Sequence, residues 1–376
     1  MKTLLTWIVL FLGLLQPTAA ISQERLKIGA LMCQTGTCAE WGSAALKGAQ
    51  LAVEEVNSAG GVLGASVELI VEDSAEDQVK ESLTAYRSLR NKGVDLIVGP
   101  TWSAAGNVIA AVAKSDPSVL LVSPSIGIRD FNEAGPNLFN IWPHDEYGAR
   151  RLATFAHEQG LRRIAIFATE QPWSIAQAHF FREEFERAGG TITVEVVPSP
   201  DQLDLRSEAN RIVRSRPEAV VFTCFSEQMG LAAKKLKQLG FKGVQLSVLM
   251  FESAISVANG ALEGVVYAAL PAPSVDFTAK FKRRFGGEPG TSADKGYDGA
   301  MLVMRAAIDA RSSAVDAVRI ALQNTTEYSG ASGKLAFNAE RAVSQVPVIF
   351  TVAAGRLGVE FLESNFSVRA QLGKSR

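Results

Sequence analysis

Short apolar runs alternate with amphipathic stretches along this chain, and the first unit shows the pattern most clearly. A strand is predicted over Leu26–Met32, followed by a loop at residues 33–42 and then by a helix. The glycine pair at 60 and 61 suits a left-handed end to that helix. One helix face has apolar residues at the spacing i, i+3, i+4 and i+7, at Ala49, Ala52, Val53 and Val56. This segment is the first half of a strand–helix–strand unit.

The same alternation continues through both halves of the chain. Further strands are predicted at 67–72, 95–98, 119–122, 163–167, 191–197, 219–223, 244–248 and 265–270, with helices at 277–285 and 298–311 and a last strand pair at 333–338 and 346–352. Short apolar strands separated by helical segments are typical of parallel sheets covered on both faces. The predicted fold class is therefore α/β, with two doubly wound sheets and a short crossing between them at residues 140–144.

The N-terminus predicts export. Lys2 precedes an apolar run at residues 4–15, and small residues at 17–20 predict cleavage after Ala20, so that a signal peptide occupies 1–20. A membrane anchor is disfavoured because a span needs about 20 apolar residues. The nearest cysteine to the cleavage point is Cys33, so we expect a free periplasmic protein without a lipid anchor. Its remaining length of about 356 residues suggests two domains.

Charge and cysteine usage narrow the function classes. The 38 basic and 39 acidic side chains nearly balance, and no basic run occurs, so nucleic acid and anionic membranes are not expected partners. Cys33 and Cys38 lie five positions apart in the first loop, where a disulfide is favoured over a metal site because no histidine accompanies them. Cys224 has apolar neighbours and is expected to be an inert buried thiol.

Serine residues stand at two predicted strand ends, where a parallel sheet commonly binds ligands. Ser103 follows the strand at 95–98 at the predicted N-cap of a helix, and Ser125 follows the strand at 119–122. A ligand carboxylate between them would accept hydroxyl and backbone hydrogen bonds. Ordinary helix capping is the alternative explanation of such serines, and spacing alone favours it.

Aromatic residues occupy three further strand-end loops. Trp41, Trp173 and Phe225 each follow a predicted strand, a position from which large rings can form the walls of a pocket. Any one of them taken alone is better explained as a packing residue. Three at equivalent positions favour a binding cleft.

Signals for catalysis are weak. Of the three histidines, His144, His157 and His179, the latter two lie in helical stretches with no cysteine or paired acid near them, and no nucleophile elbow, P-loop or dinucleotide fingerprint follows a strand. The acidic run Asp145-Glu146 at a helix start is interpreted as complementing the helix dipole. We therefore expect neither an enzyme nor a cofactor, although an exported α/β enzyme remains an alternative.

Ordered motifs along the chain resemble the periplasmic leucine/isoleucine/valine-binding protein family, the type I solute-binding proteins of ATP-driven (ABC) uptake systems. Each motif is weak alone, but their order covers essentially the whole chain after residue 24. The matching residues are Thr35-Gly36, Trp41-Gly42, Gly48-Ala49, Asn57, Gly60-Gly61, Val94 to Gly99, Ser103, Ser123-Pro124-Ser125, Arg163 to Ile166, Gly296 to Ala300 and Gly333 to Asn338.

The resemblance implies two lobes joined by three crossings. Lobe I would comprise 24–142 plus 272–344, and lobe II would comprise 143–271 plus 345–376. The lobes would close around a small amino acid, an amide, or an aromatic or aliphatic carboxylate, and the closed monomer would deliver that ligand to a membrane permease. A sensor of the same fold that signals to a regulator is the alternative within this family.

The resemblance also implies site residues. Ser103 and Ser125 would contact a carboxylate and an ammonium, together with Ile126 and Gly127, while Trp41, Trp173 and Phe225 would wall the site. Two positions depart from the family pattern. Gly127 stands where a threonine is common, and Leu249 stands near the expected acid, with Glu252 three residues on and Glu227 as a further candidate.

Overall fold

The computed structural model describes residues 25–36, 38–75 and 79–360. The predicted signal peptide at 1–20 and the last part of predicted lobe II, 361–376, lie outside the described residues. None of the described helices combines the length and apolarity that a transmembrane span requires.

The first sheet has five parallel strands in the order β2-β1-β3-β4-β5. Apolar side chains fill both faces, because helices pack on each side of the sheet. The strands are β1 (Leu26–Met32), β2 (Val67–Asp73), β3 (Leu96–Val98), β4 (Leu120–Ser123) and β5 (Leu138–Asn140), and the helices are α1 (Ala39–Ser58), α2 (Val79–Asn91), α3 (Ser103–Ala113) and α4 (Arg129–Glu133).

The second sheet has seven strands in the order β14-β13-β10-β9-β8-β6-β7. Five of them run parallel, and the last two strands of the chain add to one edge in antiparallel pairing. The strands are β6 (Arg163–Phe167), β7 (Thr191–Val196), β8 (Ala219–Phe222), β9 (Val244–Ser247), β10 (Val266–Ala269), β13 (Val348–Ala353) and β14 (Arg356–Glu360). The helices between them are α5 (Glu146–Glu158), α6 (Pro172–Arg187), α7 (Arg206–Arg214), α8 (Ser226–Gln238) and α9 (Glu252–Ala258).

After β10 the chain returns to the first sheet and then crosses again. The returning segment contains α10 (Val275–Phe285), α11 (Ala293–Ala310), α12 (Val315–Gln323) and the hairpin β11 (Tyr328–Gly330) and β12 (Gly333–Leu335). Helix α11 packs closely on α1 because Gly48 has no side chain. A Cβ atom at residue 48 would lie 1.8 Å from the Ala293 carbonyl oxygen. With the crossings after β5, after β10 and after β12, the prediction of two doubly wound α/β lobes joined by three crossings is confirmed.

The structure corrects the sequence-based elements at the chain's crossings. Strand β5 begins at residue 138, just ahead of the predicted crossing, and pairs with β4. The two predicted last strands do form, as β12 and β13, but they belong to different sheets, because β12 pairs with β11 whereas β13 pairs with β10. These pairings join segments from different parts of the chain, so local periodicity carries little information about them.

Helix α3 also begins differently from the prediction. Ser103 was expected at the N-cap, but Trp102 takes that position with an extended backbone, and Ser103 is the first helical residue. The hydroxyl of Ser103 therefore makes no capping hydrogen bond at this end. It lies instead beside the cavity between the lobes.

Candidate functional site

The carboxyl ends of the parallel strands of both sheets face one cavity between the lobes, to which each lobe contributes side chains. The part of the chain up to β5 supplies Trp41, Trp102, Ser103, Ala104 and Ser125; the part that follows supplies Asp145, Gln171, Pro172, Trp173, Phe225, Leu249 and Phe251. The free volume between these side chains is about 30 Å³. That volume holds about two water molecules, so any larger ligand enters only when the lobes or rings move apart.

Five of the lining side chains form a group that we call the ring cluster: Trp41, Trp102, Trp173, Phe225 and Phe251. Phe225 lies at its centre, with its ring centroid 4.9 Å from that of Trp102, 5.0 Å from that of Trp173 and 6.0 Å from that of Phe251. Trp41 lies 5.6 Å from Phe251. Rings of the two lobes are thus in direct contact across the gap, at spacings typical of attractive aromatic pairs.

Asp145 is the acidic group of this cavity, and the sequence analysis did not assign it to the site. Its Oδ1 accepts a hydrogen bond of 2.6 Å from Trp142 Nε1, and its Oδ2 accepts one of 2.7 Å from Trp173 Nε1. It stands immediately before α5 but makes no side-chain capping hydrogen bond there. Asp145 thus stands at the helix start, as the dipole interpretation has it, and in addition both of its carboxylate oxygens accept hydrogen bonds from indole N–H groups.

Burial shapes the acidity of Asp145. Desolvation raises the pKa of its carboxyl to about 6, and the hydrogen bonds from Trp142 and Trp173 oppose that rise. Of the described residues that line the cavity, none is a lysine, arginine or histidine. Near neutral pH the site therefore presents a negative charge without a cationic side chain in the cavity wall.

Gly127 makes room for the Asp145 carboxylate. A Cβ atom at residue 127 would lie 1.5 Å from Asp145 Oδ2, and the backbone N–H of Asp145 donates a 2.9 Å hydrogen bond to the carbonyl of Gly127. The carboxylate therefore occupies the space that a threonine side chain would need at position 127. Asp145 can therefore take this position because residue 127 is a glycine and not the threonine of the family pattern.

The two candidate serines line the cavity near the N-terminus of helix α3. Ser103 is partly exposed in its first turn, whereas Ser125 is buried and its hydroxyl donates a 2.9 Å hydrogen bond to the Thr101 carbonyl. A hydroxyl oxygen has two lone pairs, so Ser125 remains able to accept a hydrogen bond from a ligand. Ser103 keeps its hydroxyl beside the first backbone N–H groups of an eleven-residue helix.

The structure brings five of the eight candidate ligand-binding residues together and separates the other three. Trp41, Ser103, Ser125, Trp173 and Phe225 line the cavity. Ile126 is fully buried, and its side chain packs against Gly106 of α3. Gly127 stands behind Asp145, and Glu252 lies in a neighbouring cavity of about 460 Å³ on the other side of Leu249.

Residues missed by the sequence analysis are Asp145, Trp102 and Phe251. Trp102 directly precedes Ser103, and Phe251 follows β9 much as Phe225 follows β8, so the strand-end rule that selected Trp41 and Phe225 also applies to them. Asp145 carries no such signal, because it follows a crossing between the lobes and not a strand of its own sheet.

The cysteines and His144 lie near the site but outside the cavity. Cys33 and Cys38 are joined by a disulfide with a Cα–Cα distance of 5.9 Å, in the loop that leads to Trp41. Cys224 is a buried free thiol whose pKa is raised by burial. Burial lowers the pKa of His144, whose Nε2 lies 3.0 Å from Asn132 Oδ1. Within the described ranges, no group of acidic, histidine and cysteine side chains could hold a metal ion.

Two α/β lobes, three crossings and a cavity lined from both sides define a two-lobed binding protein. Residues 25–354 match the family model described as periplasmic binding protein, and the chain belongs to that family. This result confirms the family that the sequence motifs indicated.

Individual relatives are distant. The chain is 25% identical to the Leu/Ile/Val-binding protein BraC3 of Rhizobium johnstonii over 59% of its own length. That match spans 60% of the relative's own length. The fold is similar to that of a leucine binding protein LivK from Thermotoga maritima, with a TM-score of 0.83 at 24% identity, covering 89% of this chain and 98% of the other. It is also similar to a solute binding protein of an ABC transporter from R. palustris in complex with benzoate, with a TM-score of 0.78 at 18% identity, covering 89% and 95%.

Proposed function

We propose that this protein is an extracytoplasmic receptor that closes around a small solute and delivers it to an ABC permease. The observation that carries the proposal is the cavity around the ring cluster, to which both lobes contribute side chains at the strand ends. A ligand held there would bridge the lobes and stabilise the closed form, which is how hinge-closing receptors couple binding to shape. The relatives, named for binding branched-chain amino acids or solved with benzoate, support a small solute as the ligand class.

The helix α3 N-terminus is the proposed place for an acidic group of the ligand. A carboxylate beside Ser103 would accept its hydroxyl hydrogen bond and those of the first backbone N–H groups, with the positive end of the helix dipole behind them. The two lobes would then contribute unequally. The first would hold the polar end through α3, and rings of both lobes would cover the remainder.

A calorimetric screen tests this function. Amino acids, amides and small carboxylates are titrated into the protein, and X-ray scattering follows its radius of gyration with each binder. We expect at least one of these compounds to bind and to compact the molecule. Binding by none of them, or binding without compaction, would contradict a closing receptor.

The role of Ser103 is tested with the carboxylate that the screen identifies. We expect Ser103→Ala to weaken its binding roughly tenfold or more, because a hydrogen bond to a charged group contributes about 1.5–3 kcal/mol. Ser58→Ala is the matched control, since the Ser58 hydroxyl bonds only to Glu54 of its own exposed helix turn. Unchanged affinity in Ser103→Ala would remove this serine from the site.

Delivery to a permease is a separate step. We expect a cell that lacks this chain to lose uptake of the ligand, and expression of the chain to restore it. If uptake is unchanged while purified protein still binds the ligand, the sensor alternative replaces the transport role.

A further inference from the structure

The cavity contains a negative charge that its walls do not balance. Asp145 accepts one indole hydrogen bond at each carboxylate oxygen, and the described lining residues include no cationic side chain. Indole N–H groups are neutral donors, so the carboxylate keeps its full charge. A ligand that brings a positive charge would supply the missing counter-charge.

The ring cluster suits a cation of a particular kind. Four of its rings, those of Trp41, Trp102, Trp173 and Phe251, are at least 92% buried, with between 3% and 8% of their surface exposed. Ring faces attract cations, most strongly those of tryptophan, and the attraction grows when the site is desolvated. Three tryptophans, two phenylalanines and one carboxylate around a single cavity are the groups that recognise alkylated ammonium ions elsewhere in proteins.

We propose that this cavity receives an alkylated ammonium group, with the ring cluster covering its alkyl substituents and Asp145 supplying the counter-charge. The inference rests on the proposed receptor function and specifies the ligand class of the same site. It adds a cationic end to the acidic end that Ser103 would hold.

An alkylated ammonium fits these walls better than a primary ammonium does. A primary ammonium has three N–H donors and needs an acceptor for each when it is buried. Besides Asp145, the polar lining residues are Ser103, Ser125 and Gln171, and the other eight are the five rings, Ala104, Pro172 and Leu249. Leu249 is the residue near the position where the family resemblance places an acid. An alkylated nitrogen needs fewer acceptors or none, and its carbon atoms pack on rings.

An indole N–H group in the cavity wall suggests that the ligand also carries an oxygen acceptor. Trp41 is 4% exposed and lines the cavity, and its Nε1 has no hydrogen-bond partner among the described residues. A ligand carboxylate would accept from this indole or from Ser103. Small zwitterions of the betaine type combine both features, so glycine betaine is the first probe.

Pairs of probes that differ only in charge test the inference on the unaltered protein. Calorimetry compares glycine betaine with tert-butylacetate, and choline with its tert-butyl analogue, in which carbon replaces the nitrogen. We expect the member with the ammonium nitrogen to bind at least about tenfold more tightly in each pair, the size of a desolvated cation–π and ion-pair contribution. Equal binding within both pairs, or tighter binding of the carbon analogues, would overturn the inference.

Variants then locate the preference. In Asp145→Asn we expect the preference for the ammonium member to fall to threefold or less. The control Asp204→Asn, which changes an exposed acid paired with Arg206, should leave the preference unchanged. Phe225→Leu keeps an apolar residue but removes the central ring, and should reduce the preference as well. A preference that persists in both Asp145→Asn and Phe225→Leu would show that another part of the protein recognises the cation.

Different results would overturn the cationic ligand class and the receptor function. Compaction by leucine or by benzoate, with no binding of glycine betaine or choline, would overturn the cationic ligand class and leave the receptor function standing. An absence of binding and compaction with every compound of the wider screen would overturn both.

Discussion

The contact between Gly127 and Asp145 determines which polar groups face the cavity. In this molecule the acceptor comes from residue 145, at the start of α5, because residue 127 has no side chain to exclude it. The carboxylate then fixes two indoles by hydrogen bonds of 2.6 and 2.7 Å. One glycine thereby sets the position of an acid and of two tryptophan rings.

Adding a single methyl group at residue 127 should disrupt this arrangement. In Gly127→Ala the new Cβ would overlap Asp145 Oδ2, so the carboxylate must leave at least one indole. We expect ligand affinity to fall tenfold or more and the thermal midpoint to drop, since a buried hydrogen bond to a charged group contributes about 1.5–3 kcal/mol.

Gly287→Ala is the control for that variant. A methyl group at residue 287 would meet open space, and the backbone there is not left-handed, so both affinity and midpoint should stay within error of the unaltered protein. Equal affinities and equal thermal midpoints in the two variants would mean that the Asp145 carboxylate can adopt another position without loss of function.

The acidity of Asp145 predicts a pH dependence of cation binding. Its pKa of about 6 in the ligand-free protein means that roughly a tenth of the molecules carry the charge at pH 5 and nearly all do at pH 8. Affinity for glycine betaine should therefore fall about tenfold between pH 8 and pH 5. Calorimetry at both pH values measures the change.

Neighbouring ionisable groups are accounted for by their own partners. Glu146 forms an ion pair with Arg129. His144 lies beside Asn132 and Glu340. The groups that donate hydrogen bonds to the Asp145 carboxylate are the neutral indoles of Trp142 and Trp173. The pH dependence should thus disappear in Asp145→Asn. A dependence that survives in this variant would belong to another group.

The same raised pKa has a consequence for stability. The folded protein binds the Asp145 proton more tightly than the unfolded chain does, so this group favours folding most below pH 4 and loses that contribution as pH rises through about 6. Ligand-free protein should therefore melt higher at pH 5 than at pH 7, relative to Asp145→Asn. A binding site that keeps an acid partly desolvated has this cost in stability.

At the scale of elements, the loop between β1 and α1 positions the first ring of the cluster. The disulfide closes this loop, the backbone N–H of Cys33 donates a 2.8 Å hydrogen bond to Thr101 Oγ1, and Gly42 packs directly on the Cys33 carbonyl. Trp41, in the first turn of α1, therefore follows a loop that is constrained at both ends. The contact with Thr101 also ties it to the loop before α3.

Removal of the disulfide should lower stability moderately. For so short a loop the chain-entropy model gives about 2 kcal/mol, so the double variant Cys33→Ser, Cys38→Ser should unfold at lower denaturant concentration. Reductant should shift the unaltered protein in the same direction and leave the double variant unchanged. Identical unfolding curves for the two proteins would show that the loop is held by its hydrogen bonds alone.

The elements differ in how well local sequence predicts them. β1 and β6 match their predicted bounds, because each is an apolar run buried on both faces and needs no distant information. β5 has three residues and β14 follows a turn at residues 354–355, so both depend on the strand beside which they lie. The first residue of α3 was misplaced by one because serine is a strong N-cap former, whereas here Trp102 has the extended backbone of a cap.

At the scale of the whole molecule, hydrogen bonds as well as rings join the lobes. Ser253 of α9 donates a 2.6 Å hydrogen bond to Glu40 Oε2 of α1, and its oxygen lies 2.8 Å from Ser226 Oγ. This contact links helices that pack on different sheets. It should favour the closed arrangement in which the ring cluster is assembled.

Loss of this hydrogen bond should speed ligand release. In Ser253→Ala we expect a dissociation rate roughly tenfold higher or more, in line with about 1.5–3 kcal/mol for a hydrogen bond to a charged group, with a smaller effect on association. Stopped-flow fluorescence measures both rates through the cavity tryptophans. Ser58→Ala serves again as the control, and equal release from the two variants would show that the ring contacts alone hold the lobes together.

The sequence by itself determined the α/β class, the number of lobes and most of the cavity's rings, because apolar period and strand-end position are local properties. Only the tertiary structure decided which acid faces the cavity. Asp145 and Gly127 are 18 residues apart in the chain and meet because the crossing after β5 turns back over the end of β4. Local sequence does not predict this contact, since the position of a side chain at a crossing depends on how both lobes pack around it.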